Sequence, residues 1–142
     1  FDVAQVNEDE LRMMGGDPLA LAARAVDAGV KAVCVTLGAR GASYVAAPGF
    51  ERLAGAPAAG SGPAPPVVRT ATVESEGEPV TGDPTGCGDV FGATLFARLL
   101  AGADLEGAIR DANRAARRNV SYRGATGLQR YLRGALARSG GA

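Results

Sequence analysis

The chain has 142 residues, 46% of them hydrophobic and 21% charged, and its fifteen basic and fifteen acidic residues cancel. That length suits one domain with a real core, and the ordinary apolar content argues against disorder. A neutral chain lacks the global field that draws nucleic acid or an anionic membrane, no apolar run approaches the ~18 residues of a membrane span, and the absence of His removes His-based triads and imidazole acid–base catalysis, leaving such work to a carboxylate or another group.

The chain opens at Phe1 inside an apolar stretch, and it reads as a piece of something longer. No charged region followed by an apolar one marks a signal peptide. A strand is expected over residues 1–6. Asn7-Glu8-Asp9-Glu10 is placed to open a short helix through residue 14, and Gly15-Gly16 breaks it. Asp17-Pro18 supplies an N-cap acceptor and a proline at the first helical position, so a helix is expected over 19–28, stopped by Gly29. The nearly continuous apolar run 30–37, with Val33, Val35 and Thr36, predicts a buried strand. Gly38-Ala39-Arg40-Gly41 is a turn, and 42–47 a partner strand. This succession predicts a layered α/β domain.

Residues 46–66 are rich in Ala, Gly and Pro and read as a flexible surface excursion. A strand over 67–73 and an acidic turn over 74–78 follow. Helices are expected over 90–100, stopped by Gly102, and over 105–120, capped by Asp104. A loop with Gly124, Thr126 and Gly127 leads to a last amphipathic helix over 128–137. Charge is divided along this order. Residues 1–93 hold six basic and twelve acidic groups, whereas 94–142 hold nine and three. The basic excess suggests a solvated helix face or a weakly positive wall beside an anionic ligand. Cys34 and Cys87 sit in unlike contexts and suggest no disulfide, so a reducing cytoplasm is the simplest home. Cys34 reads as a buried small hydrophobe, and Met13-Met14 as core packing.

The chemistry is expected in Asp83-Pro84-Thr85-Gly86-Cys87-Gly88-Asp89. A loop rich in small residues enters a helix there. Helix N-termini present free N–H groups and about half a positive charge, and glycine lets a phosphate approach the backbone. Asp89, in the first helical turn, would complement the helix dipole. It would equally serve as a carboxylate that takes a proton from a hydroxyl attacking phosphorus. Alone, the Gly-x-Gly-Asp pattern is an ordinary helix start. A Walker loop is excluded because no Lys follows, and a dinucleotide fingerprint because Phe91 stands where its third glycine belongs.

The whole segment from Asp83 through Phe96 resembles the C-terminal signature of the ribokinase-like (PfkB) carbohydrate kinases. It matches at Asp83, Pro84, Thr85, Gly86, Gly88, Asp89, Phe91 and Ala93, and departs at Cys87 (usually Ala) and Thr94 (usually Gly). Asn7-Glu8-Asp9-Glu10 is similar to the family's Asn-x-x-Glu motif, and residues 36–41 to its strand-turn-strand near the nucleotide. The resemblance implies the C-terminal, nucleotide-binding half of a three-layer α/β/α sandwich. It implies transfer of the γ-phosphoryl group of ATP to a hydroxyl of a sugar or nucleoside, with Mg²⁺. Asp89 would be the general base, and the backbone of Gly86, Cys87, Gly88 and Asp89 the anion hole. ATP would lie between Thr36, Gly38 and Gly41 on one side and the 113–127 region on the other, with Asn113 at the adenine. Asn7 and Glu10 would organise Mg²⁺ through water. Asp83 and Thr85 would help hold a monovalent cation such as K⁺. A homodimer through the missing half is also implied. The alternatives are a truncated, non-catalytic fragment or nucleotide-binding relic, and a kinase of vitamin precursors on the same fold, which fits the Asp89 position less well.

Overall fold

The computed structural model describes residues 1–15, 17–53, 67–78, 80–122 and 133. The apolar run after Gly29 sets its centre. Strand β2 (Ala32–Thr36) is buried on both faces, and only Thr36 at its end is partly open. Its alternate side chains supply two separate cores. Ala32 and Cys34 face one way, and Val33 and Val35 the other. A strand of period 2 can feed two cores only if helices cover both sheet faces.

It belongs to a four-stranded sheet with β1 (Val3–Asn7), β3 (Gly41–Ala46) and β4 (Arg69–Glu74), in the order β1-β2-β3-β4. The β1–β2 pair is parallel, and the β2–β3 and β3–β4 pairs are antiparallel. The parallel pair needs a crossover, which is made by α1 (Glu8–Met13) and α2 (Pro18–Asp27). Leu11, Ala22 and Val26 from these helices pack on Val33, Val35 and Val45. The other face is covered by α3 (Cys87–Leu100) and α4 (Leu105–Asn119). Phe91, Leu95, Leu99, Leu105 and Ile109 meet Cys34, Ala42, Tyr44 and Val73 there. The three layers expected from the resemblance are therefore present around a four-stranded sheet. Strand β4 is buried only at Val73, and its Thr72 pairs with Ser43 through a 2.7 Å hydroxyl hydrogen bond.

Local rules placed most helix starts. The Asp17 side chain accepts from Ala20 N at 3.0 Å with Pro18 in the first turn, and Asp104 accepts from Gly107 N at 2.7 Å. Several boundaries differ from expectation. β1 runs on to Asn7, because Asn7 pairs with Thr36 in the parallel ladder while also capping α1. β2 starts at Ala32 rather than 30, because Val30 N turns back to the Ala25 carbonyl after Gly29 at φ 105°. The 38–41 turn contains a 3-10 turn over Gly38–Arg40. Helix α3 begins at Cys87 instead of 90, because only Gly86 adopts a positive φ and the chain is helical immediately after it. Met13 and Met14 are exposed, not core, because short α1 buries only Leu11. The helix over 128–137, the loop of Gly124, Thr126 and Gly127, and most of the 46–66 excursion lie outside the described residues. Among those described, no helix is long and apolar enough to cross a membrane.

Two tests follow from the larger core. Leu95 is fully buried between the helices and the sheet, so Leu95→Ala should lower unfolding free energy by about 2–5 kcal/mol in urea titrations. Burial pushes the Cys34 thiol up to about 12, and burial with the bond from Tyr44 Oη to Glu106 pushes the phenol up to about 12. Both groups hold their protons more tightly when folded. Their contribution is therefore complete below the ordinary values of 9.0 and 10.0 and is lost as pH rises toward 12. Stability measured across that window should fall, and less steeply in Tyr44→Phe.

Candidate functional site

Residues 82–86 lie between β4 and α3 and turn sharply into α3 beside the end of α4. The turn is built from short local bonds. Asp83 Oδ1 accepts from Thr85 N at 2.9 Å, an Asx turn. Cys87 N donates to the Pro84 carbonyl at 3.1 Å. Gly86, at φ 79° and ψ 0°, holds the third-residue geometry of a type II turn, which a side chain would strain. Three bonds stitch this turn to the end of α4. Asp83 N donates to the Val120 carbonyl at 3.1 Å, Asn119 Nδ2 to the Thr85 carbonyl at 3.2 Å, and Cys87 Sγ to the Ala116 carbonyl at 3.3 Å. A side chain at Gly82 would overlap the Val120 carbonyl, so the contact is close.

The start of α3 is left open. No side chain caps it, and among the described residues the amides of Gly88 and Asp89 take no backbone partner. Asp89 is exposed in this first turn. One part of the expected anion hole changes: the Cys87 amide is already bonded within the turn, so the open donors are those beyond it. Gly88 is the informative residue. Its φ is not positive, and a Cβ built on it would meet nothing within 4 Å. Neither backbone conformation nor neighbouring atoms require glycine there, and glycine in a helix is unfavourable by about 1 kcal/mol relative to alanine.

Gly88 instead opens onto a cavity of about 350 Å³. The cavity also meets Thr36, Gly38 and Gly41 at the end of β2 and its turn, Ser75, Gly77 and Glu78 after β4, and Cys87, Phe91, Asn113, Ala116, Arg117 and Val120 of α3 and α4 and just after. This is where ligands of open α/β sheets bind, outside the carboxyl ends of parallel strands. The fold thus gathers Thr36, Gly38, Gly41, Cys87, Gly88 and Asn113 around one space, although they lie far apart in the chain. Gly86, Asp89, Asp83, Thr85, Asn7 and Glu10 do not line it.

Several expected site residues also have structural duties. Gly41, at φ 104°, lets β3 leave the turn against the β4 backbone, where a Cβ would lie 2.8 Å from Ser75 N. Asn113 is 6% exposed, and its Nδ2 donates to the Val73 carbonyl at 3.0 Å, tying α4 to β4. Asn7 and Glu10 form a reciprocal capping box, with bonds of 2.8 and 2.7 Å. The Asx turn accounts for the pairing of Asp83 with Thr85. Sequence reasoning missed Asn119, which is wholly buried and hydrogen-bonded to the turn. It also missed Glu8, which bridges Arg12 and Arg40 and so ties α1 to the 38–41 turn. The i, i+4 spacing of Glu8 and Arg12 signals only the local half of that bridge.

Among solved structures, ribokinase from Thermotoga maritima superposes with a TM-score of 0.66 at 21% identity, covering 94% of this chain and 42% of that one. Fructokinase from Vibrio cholerae O395, solved with fructose, ADP and calcium, gives 0.65 at 24%, covering 94% and 40%. An E. coli protein provisionally named ribokinase II, solved with ATP and Mg²⁺, gives 0.65 at 26%, covering 93% and 39%. The chain therefore spans about 40% of the length of these structures. No curated protein matches the sequence. The sequence profile of the pfkB family carbohydrate kinases matches residues 1–130, so the chain belongs to that family.

Proposed function

We propose that this chain is the nucleotide-binding, C-terminal part of an ATP-dependent kinase that phosphorylates a hydroxyl of a sugar or nucleoside. The observation that carries the reading is Gly88. It is a helical glycine that the protein's own conformation does not require, beside amides without partners and facing a cavity. An anionic phosphoryl group is the ligand such a place suits, since it can approach the backbone closely and accept from the Gly88 and Asp89 amides at the positive end of α3. The cavity walls of Val80, Phe91, Ala116 and Val120 suit a flat apolar base.

In this reading the Asp89 carboxylate accepts the proton of the acceptor hydroxyl as its oxygen bonds to the γ-phosphorus and the bond to ADP breaks. The amides of Gly88 and Asp89 stabilise the charge on the moving group. Mg²⁺ would neutralise the phosphate oxygens. Glu10, exposed at the sheet end where Asn7 pairs with Thr36, is the carboxylate suited to organise its water shell. K⁺ enters this proposal only through the resemblance at Asp83 and Thr85. Because the chain spans about 40% of its structural relatives, turnover is proposed for the whole protein and nucleotide binding for this part. The second reading is a relic that binds nucleotide without turnover.

Two variants of the full-length protein test the reading. Asp89→Asn should lower kcat by about 10²–10⁴-fold while leaving the ATP dissociation constant within about threefold. Undiminished turnover would remove Asp89 from the chemistry. Gly88→Ala should fold with equal or greater stability in thermal melts, because the space is open and alanine favours helix. It should nevertheless lose ATP-dependent phosphorylation, as its methyl group occupies the phosphate's place. A relic would bind ATP yet phosphorylate none of a panel of sugars and nucleosides.

A further inference from the structure

The acidic turn after β4 and the arginines of α4 have no part in the chemistry above, yet in the structure they meet. Arg117 Nη1 donates to the Glu76 carbonyl at 2.9 Å, and Nη2 donates to the Glu78 carbonyl. Arg114 Nε lies 3.8 Å from the Glu76 carboxylate. One planar guanidinium therefore spans the segment 76–78 and fastens it to α4. Gly77 makes room for this. It sits at φ 92°, and a Cβ on it would overlap the Arg117 guanidinium. Gly77, Glu78 and Arg117 all line the cavity that Gly88 opens onto.

We propose that Arg117 is a positioning residue for the nucleotide: it latches the 76–78 segment in place as a preformed wall of the cavity. The proposal rests on the kinase reading for the identity of the ligand. A wall that had to be ordered during binding would subtract its ordering entropy from affinity. Arg117 orders it beforehand with two charge-assisted bonds, which act on nucleotide affinity rather than on proton transfer at Asp89. Lysine cannot replace it fully, because an ammonium is a point charge without the forked donors.

The test uses the full-length protein. Arg117→Ala should raise KM for ATP about tenfold, with kcat and KM for the acceptor within about twofold. Amide hydrogen exchange across 75–78 should quicken in the same variant. Arg117→Lys should recover only part of the affinity. Gly77→Ala, which keeps the charge but displaces the guanidinium, should reproduce the KM shift and serves if Arg117→Ala folds poorly. An unchanged KM for ATP, an equal loss in kcat, unchanged exchange, or full rescue by lysine would each overturn the proposal. A wild-type protein that binds no Mg·ATP would overturn the kinase reading instead, and the exchange comparison would then decide the latch alone.

Discussion

The turn that carries the chain from residue 82 into α3 constrains the rest of the molecule. It must reverse within a few residues, and its polar backbone must still find partners. Gly86 meets the first demand with its left-handed φ. The end of α4 meets the second, through Asn119, the Ala116 carbonyl and the Val120 carbonyl. The first turn of α3 is fixed relative to α4 before any ligand arrives. Its amides are left pointing outward because the turn's own bonds stop at Cys87. A preorganised donor set of this kind costs no reorganisation when charge develops in front of it.

The sheet sets where that helix start lies. β2 is buried on both faces, so helices must cover both, and the parallel β1–β2 pair fixes which strand ends share an edge. Close packing of α3 continues along its length. A Cβ at Gly92 would stand 2.8 Å from Gln5 Oε1, so a side chain there would push the Gln5 carboxamide of β1 aside. Leu95 and Leu99 then fill the space over the sheet. Stability and cavity geometry thus come from the same helix, with its apolar face holding the layer and its first turn left uncapped.

Charge is used locally rather than as a field. The net charge is zero, but acidic residues concentrate before α3 and basic ones after it. The fold folds the second group back on part of the first, and Arg114 and Arg117 engage the 76–78 segment. Arg98 pairs with Asp111 between α3 and α4 at 2.8 Å. These pairs are largely exposed, so each contributes little to global stability. Their value is geometric: Arg114 and Arg117 fasten the 76–78 segment to α4, and Arg98 with Asp111 ties α3 to α4.

What the sequence by itself determined was local. The buried strand after Gly29 and the Asp17-Pro18 and Asp104 helix starts follow from residues within one helical turn or one strand of each other. Such features depend on φ/ψ preference and short-range capping, which sequence spacing reports directly. The motif from Asp83 to Phe96 was equally legible, because its spacing is that of a single loop and helix. The tertiary structure decided which of these residues share a space and which are committed elsewhere. Asn113 bonds a carbonyl 40 residues away, Asn119 one 34 away and Arg117 one 41 away. No local preference encodes such pairings, because they exist only once α3 and α4 have packed on the sheet. The distinction between Gly86 and Gly88 was decided there too. In sequence both are glycines at a helix start, but folding shows that one is required by its backbone and the other faces open space.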